Sequence, residues 1–426
     1  MLLFTNASQV VTCAGPARAR RASELGDCAI LTNAAVAIDG GAIAGVGPRD
    51  ELEQRYAGAE RVDCGGRVLM PGLVDSHTHA IFGKPRYEEQ ELRAAGADYM
   101  EIARRGGGIH ASVRDLRSRD EEELYGLASG RLARLAAYGT TTVEVKSGYG
   151  LTLDDELKML RVARRLSESQ QVRIVPTFLG AHEIPLEARA TPAGRADYVT
   201  SLVSAMIPRV AADGLAQFVD VFCEPGVFTV EESRSILSAA RQAGLHLKLH
   251  ADELRPSGGA QLAVELGATS ADHLAAISHD GIRVLAASET VATLLPGTML
   301  FLGKDRQAPA RALIEAGAAV ALATDFNPGT SPTTNFPLIL TLAVSQLRMS
   351  VSEAILAATV NGAAALGIAD RVGQIAPGFS ADLALFDCDD VRELPYWYGD
   401  NRCRATWVRG LACHVRTEAQ ARAGNA

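Results

Sequence analysis

Between about residues 72 and 327 the chain alternates short runs of β-branched and apolar residues, each closing on polar side chains, with Ala-, Leu- and Arg-rich segments of helical period. Eight such runs can be counted, at residues 73–79, 141–146, 172–182, 218–224, 246–252, 269–273, 290–296 and 318–325. Between them the spacing predicts helices at 120–138, 154–168, 195–212, 230–243, 258–266 and 308–316. Four helices run into a glycine placed to cap a C-terminus: Gly139, Gly244, Gly267 and Gly317. Strand, helix, strand in this rhythm makes parallel pairing, and eight units close the sheet, so the expected fold is α/β, a (β/α)8 barrel. An open doubly wound sheet fits less well, because no Gly-rich phosphate fingerprint follows the first strand.

The flanks read differently. Residues 1–68 and 372–426 are strand-like pieces broken by turns at Asp39-Gly40-Gly41, Gly65-Gly66 and Pro377-Gly378, with one short helical stretch near Asp50. The two ends are expected to pair into one small, discontinuous β-sandwich beside a barrel of residues 69–371.

Composition narrows the picture. The 426 residues are 47% hydrophobic and 22% charged, which suits a large globular core, and no stretch has the roughly 20 apolar residues of a membrane span. The start lacks a basic segment followed by an apolar run, so no secretory signal is expected and the cytoplasm is the default. Seven scattered cysteines, without a C-x-x-C pair, read as free thiols. A formal charge of −8 without a long basic run argues against nucleic acid as a partner. An anionic substrate would need cations placed locally to hold it.

The informative polar residues fall at the carboxyl ends of the expected strands, where barrel enzymes assemble their sites. In Asp75-Ser76-His77-Thr78-His79 an extended chain turns His77 and His79 to the same side, giving two imidazoles at the mouth. Run five ends in His250-Ala251-Asp252-Glu253 and run eight in Asp325. Three imidazoles and one carboxylate, His77, His79, His250 and Asp325, form a mixed set suited to one zinc or iron ion with a position left for water. A lone H-x-H more often satisfies buried hydrogen bonds; its company on the other strands gives it weight. His246, His279 and His414 lack such company and read as structural or surface residues.

Around that set, His273 ends run six, where it could bond the activated water or a developing oxyanion, or only support the ligands. Glu253 can shuttle a proton, and Asp325 can serve as ligand and base together. Gly106-Gly107-Gly108-Ile109-His110 matches no nucleotide pattern and reads as a flexible loop over the site. Lys146 invites comparison with a carbamylated bridge between two metals, but run four carries no lysine, which favours one ion.

These residues resemble the amidohydrolase superfamily, and more closely its imidazolonepropionase family of histidine degradation. The likeness spans nearly the whole chain. PGLVDSHTHAIFG (71–83) is common to the superfamily in its PG-x-VD-x-H-x-H core; KSGYGL (146–151), GAHEIP (180–185) and DFNPGTSP (325–332) are far more specific. The resemblance implies hydrolysis of 4-imidazolone-5-propanoate to N-formimidoylglutamate, with one zinc or iron held by His77, His79, His250 and Asp325. It also implies substrate contacts from Arg86, Tyr149, His182, Glu253, Asn327, Gly329 and Thr330, with Tyr99 nearby, and a homodimer. On physical grounds, the propanoate needs a fixed cation such as Arg86, which without the metal cluster would read as a surface residue. Tyr149 and His182 add ring and hydrogen-bond surface at the same mouth. Two rival readings are a deaminase acting on a cyclic amidine, for which His250 and Glu253 would serve equally, and a non-catalytic barrel, which would be expected to have lost ligands.

Overall fold

The structure, a computed structural model, describes residues 1–96, 107–169, 172–191 and 193–416. The N-terminal segment supplies strands β1 (Leu2–Thr5), β2 (Gln9–Val11), β3 (Ile30–Leu31), β4 (Ala34–Asp39), β5 (Ala42–Pro48), β6 (Glu60–Asp63) and β7 (Val68–Pro71). The barrel follows with β8 (Leu73–Asp75), β9 (Thr140–Lys146), β10 (Arg173–Ala181), β11 (Phe218–Cys223), β12 (His246–Ala251), β13 (Ser270–His273), β14 (Val291–Leu294) and β15 (Val320–Leu322). The C-terminal segment adds β16 (Leu383–Phe386), β17 (Cys403–Val408) and β18 (Leu411–Val415).

Strands β8 to β15 pair consecutively and in parallel, and a bridge between Thr78 and Phe326 joins the first to the last at the mouth. All eight expected runs are strands. Their residues are buried on both faces, as in β9, where every position is buried, because helices cover the outside and side chains fill the inside. Residues such as Leu73, Val219, Leu249, Leu294 and Val320 share one apolar cluster with the surrounding helices.

The expected helices form at Glu121–Ala137, Leu153–Ser169, Val230–Gln242, Gly259–Glu265 and Ala310–Ala316. Gly139, Gly244, Gly267 and Gly317 all adopt the positive φ expected of C-terminal caps. The helix expected at 195–212 is interrupted: Gly194–Ser201 and Ile207–Ala212 are α-helical, and Leu202–Met206 widens into a π turn. Pro208 explains this, since it has no N–H to give to residue 204 and its ring crowds that carbonyl. Ile109 and His110, expected in a loop, open the helix Ile109–Arg117, with Gly108 at its N-cap. The alternation of Ile109, Val113 and Leu116 buries one face there, a signal masked in the sequence by the neighbouring glycines.

Beside the barrel lie two sheets, ordered β5-β4-β1-β6 and β18-β17-β16-β7-β2-β3. Both chain ends contribute to the second. Phe4, Val36 and Ile38 of the first sheet pack with Leu69, Leu383 and Trp407 of the second, and Phe4 meets Trp407 edge to face at 5.0 Å. All seven cysteines are unpaired. No described helix is long and apolar enough to cross a membrane.

Candidate metal and substrate site

The site begins where β8 and β15 are zipped together beyond their last ladder bonds. Thr324 donates its N–H and hydroxyl to the Asp75 carboxylate at 3.0 and 2.6 Å. Asp325 N–H donates to the His77 carbonyl at 3.1 Å, and His79 N–H to the Phe326 carbonyl at 2.9 Å. This fixes Asp325 Oδ1 3.6 Å from Nε2 of both His77 and His79. Such spacing is too long for a hydrogen bond. It does suit ligands of one cation, because a tetrahedral ion bound at about 2.0–2.1 Å separates its donors by about 3.4 Å. His77 Nε2 is buried without a hydrogen-bond partner. His250 stands with its ring centre 4.5 Å from that of His77 and 5.6 Å from that of His79. His77, His79 and Asp325 thus form one trio that could hold a metal ion, and His250 belongs to two further trios, one with His77 and one with His79.

His273 completes a second face: its donor nitrogen lies within 4.8 Å of those of His77 and His250, and its Nε2 is 3.6 Å from Glu253. His273 and Asp325 have φ of 80° and 53°, a left-handed backbone that residues with a Cβ adopt only where the surroundings enforce it. Thr298 holds the other Asp325 oxygen with a 2.6 Å bond.

Burial dominates the electrostatics. It drives His77, His79 and His273 well below the usual imidazole range and His182 down to about 3, so the rings are neutral and carry free lone pairs. Burial, with the charges of Asp325 and Glu224, pushes Glu253 well above the ordinary carboxyl value. The tautomer of His77 is set from below, where Nδ1 meets Asp272 Oδ2 at 2.6 Å. His250 Nδ1 lies 2.9 Å from Asp220 Oδ2, out of line for a hydrogen bond, and its backbone N–H donates to the same carboxylate at 3.1 Å.

The rim carries the remaining expected residues. His182 stacks on His79 at 4.9 Å and donates Nδ1–H to the Gly148 carbonyl at 3.0 Å, leaving Nε2 as an acceptor. Tyr149 lies 5.4 Å from His182, on a loop tied down by Glu156, whose carboxylate accepts the N–H groups of Gly148, Gly150 and Leu151 at 2.8–3.0 Å. Gly148 must be glycine, with φ of 107° and no space for a Cβ beside His182 and the Leu179 carbonyl. Asn327 folds the last loop, accepting the N–H groups of Gly329 and Thr330 at 2.8 Å each. Arg86 passes against Gly329; its Nε has no hydrogen-bond acceptor among the described residues, and the Glu89 carboxylate stands 3.4 Å away. Tyr99 lies outside the described residues.

Sequence reading missed a layer under the candidate ligands. Lys146 is not free for carbamylation, since its ammonium is paired with Asp220 at 2.7 Å and Glu144 at 2.9 Å, both fully buried. Lys248, Asp220 and Asp272 belong to the same layer. The signal was present: Glu144-x-Lys146, Lys248-x-His250 and Ser270-x-Asp272 put charged or polar residues at inward-facing alternate positions of strands otherwise apolar.

Eight parallel strands around a buried cluster of imidazoles and one carboxylate define a barrel with a metal-ligand set at its carboxyl end. The profile of the amidohydrolase family matches residues 68–413. A curated protein of Geobacillus kaustophilus named imidazolonepropionase is 46% identical over 414 residues, covering 96% of each chain. Another of that name, from Solibacter usitatus, is 45% identical over 413 residues, covering 97% of this chain and 98% of its own. The chain belongs to the amidohydrolase family and, within it, to the imidazolonepropionase family. Among solved structures, a zinc-bound adenosine deaminase from Xanthomonas campestris superposes with a TM-score of 0.72 over 100% of this chain and 97% of its own. At 20% identity that likeness speaks to the fold alone.

Proposed function

We propose that this enzyme opens the ring of 4-imidazolone-5-propanoate by hydrolysing its cyclic amide C–N bond, giving N-formimidoyl-L-glutamate. The observation that carries the reading is the gathering of His77, His79 and Asp325 within ligand distance of one another at the barrel mouth, with His250 grouped with His77 and with His79 beside them. These four would hold one ion, zinc or iron. Bound there, such an ion supplies Lewis acidity and lowers the pKa of water enough to make a nucleophile at neutral pH.

The chain's own groups do the rest. Asp325 takes the proton of the attacking water. His273 faces the carbonyl oxygen as charge develops on it, and Glu253, held neutral by burial, donates a proton to the departing ring nitrogen. His182 offers Nε2 as an acceptor to ring N–H, and Tyr149 lies along the ring. Arg86 pairs with the propanoate, with Asn327, Gly329 and Thr330 shaping the pocket wall, and the family resemblance adds Tyr99 as a further substrate contact. The relatives' shared name supports this substrate over the cyclic amidine of a deaminase.

We place the enzyme in the cytoplasm as a homodimer; exposed Tyr396, Trp397 and Tyr398 supply an aromatic surface suited to a second copy. The division into a barrel of residues 69–371 and a sandwich of 1–68 plus 372–426 is part of the same proposal. A turnover assay that follows loss of the imidazolone chromophore alongside ammonia release tests the reaction. Ring opening without ammonia supports it, and ammonia release without ring opening contradicts it.

A further inference from the structure

Beneath the proposed cation position lie five charged side chains with no exposed surface: Glu144, Lys146, Asp220, Lys248 and Asp272. Lys146 Nζ is 2.7 Å from Asp220 Oδ2, 2.9 Å from Glu144 and 3.9 Å from Asp272 Oδ2. Lys248 Nζ is 3.1 Å from Glu144 and 3.7 Å from Asp272 Oδ2, and donates to the Ser76 carbonyl at 2.7 Å. Three carboxylates therefore face two ammonium groups, all without exposed surface.

A buried ion network is a poor way to stabilise a barrel, because desolvating the charges offsets most of their attraction. Its contacts suggest another use. Asp272 Oδ2, which meets His77 Nδ1, also faces both lysines; Asp220 Oδ2, beside His250 Nδ1, is the oxygen paired with Lys146. A carboxylate on the far nitrogen of a ligand imidazole makes the ring a stronger donor. An ammonium on that same oxygen draws charge away from the ring and repels a cation at the ring's other side. Both effects have one sign.

We propose that Lys146 and Lys248 are positioning residues that act through Asp220 and Asp272, drawing charge from the carboxylates behind the ligand imidazoles and so restraining the affinity for the metal. The charge count of this layer, two against three, sets how tightly the ion is held. The inference rests on the metal reading above. A purely structural role predicts the reverse, since loss of a supporting lysine would loosen the ligand cluster and weaken binding.

The test is zinc affinity, measured by competition with a chromophoric chelator on the purified full chain. The variants are Lys248→Met, Glu144→Gln and the two combined, with the cobalt absorption spectrum as a check on ligand geometry. Lys248→Met should bind zinc roughly 10-fold more tightly, and Glu144→Gln roughly 10-fold more weakly although Glu144 makes no hydrogen bond to a ligand ring. The combination, which restores the net charge, should return to within about 3-fold of the parent with the cobalt spectrum unchanged. Folded Lys248→Met that binds zinc no more tightly than the parent overturns the proposal. Should that variant fail to fold, the near-isosteric Glu144→Gln decides, and unchanged or tighter zinc binding overturns it. A parent chain that takes up no zinc or cobalt removes the metal reading as well, which separates the two failures.

Discussion

Gly329 and Arg86 are packed so closely that a Cβ on the glycine would fall on the guanidinium. The loop that presents this glycine is shaped by Asn327, and Arg86 N–H donates to the Pro328 carbonyl at 3.3 Å, so the two loops set the cation's position together. Arg86→Ala should raise KM by roughly 10- to 100-fold with kcat little changed, the loss of a charged pair to a group remote from the reacting bond. Gly329→Ala should do the same by displacing the guanidinium, without a fall in thermal stability. Steady-state kinetics decide, and an unchanged KM in Arg86→Ala would remove that residue from the substrate pocket.

His250→Ala should sharply reduce metal content and abolish turnover, because it removes one of the donors proposed to hold the ion. Elemental analysis of the dialysed variant is the check. Full metal occupancy in it would mean that His250 is not needed to hold the ion and that the trio His77, His79 and Asp325 suffices.

Glu156 ties three buried backbone N–H groups of the loop carrying Tyr149. Glu156→Ala leaves them without acceptors and should cost about 3 kcal/mol or more of stability. Urea unfolding measures this, and a loss below about 1 kcal/mol would show that water or a shifted loop satisfies the donors instead.

Removing the metal should lower the unfolding temperature, since an ion bound only by the folded chain stabilises it in proportion to the logarithm of its concentration. Unfolding followed with chelator and then with graded zinc should recover the higher transition. Identical curves with and without metal would place the ion outside the folded cluster.

The barrel, and the histidines and aspartate that gather at its mouth, were legible because periodicity and strand ends are local properties of sequence. Eight runs with caps at Gly139, Gly244, Gly267 and Gly317 carried the fold. Partnership across strands was not legible in the same way. That Asp272 would meet His77, 195 positions away, depends on the stagger of β8 against β13 across the barrel interior, which no local pattern encodes. The π turn before Pro208 was readable from the proline alone, whereas the helix after Gly108 was hidden by a run of glycines.

Turnover of 4-imidazolone-5-propanoate, assayed while metal is quantified in the same sample, separates metal-dependent ring opening from every rival. Activity should rise in proportion to bound zinc or iron and saturate near one ion per chain. Full activity in metal-free protein, or a metal-loaded protein that leaves this substrate intact, would contradict this reading.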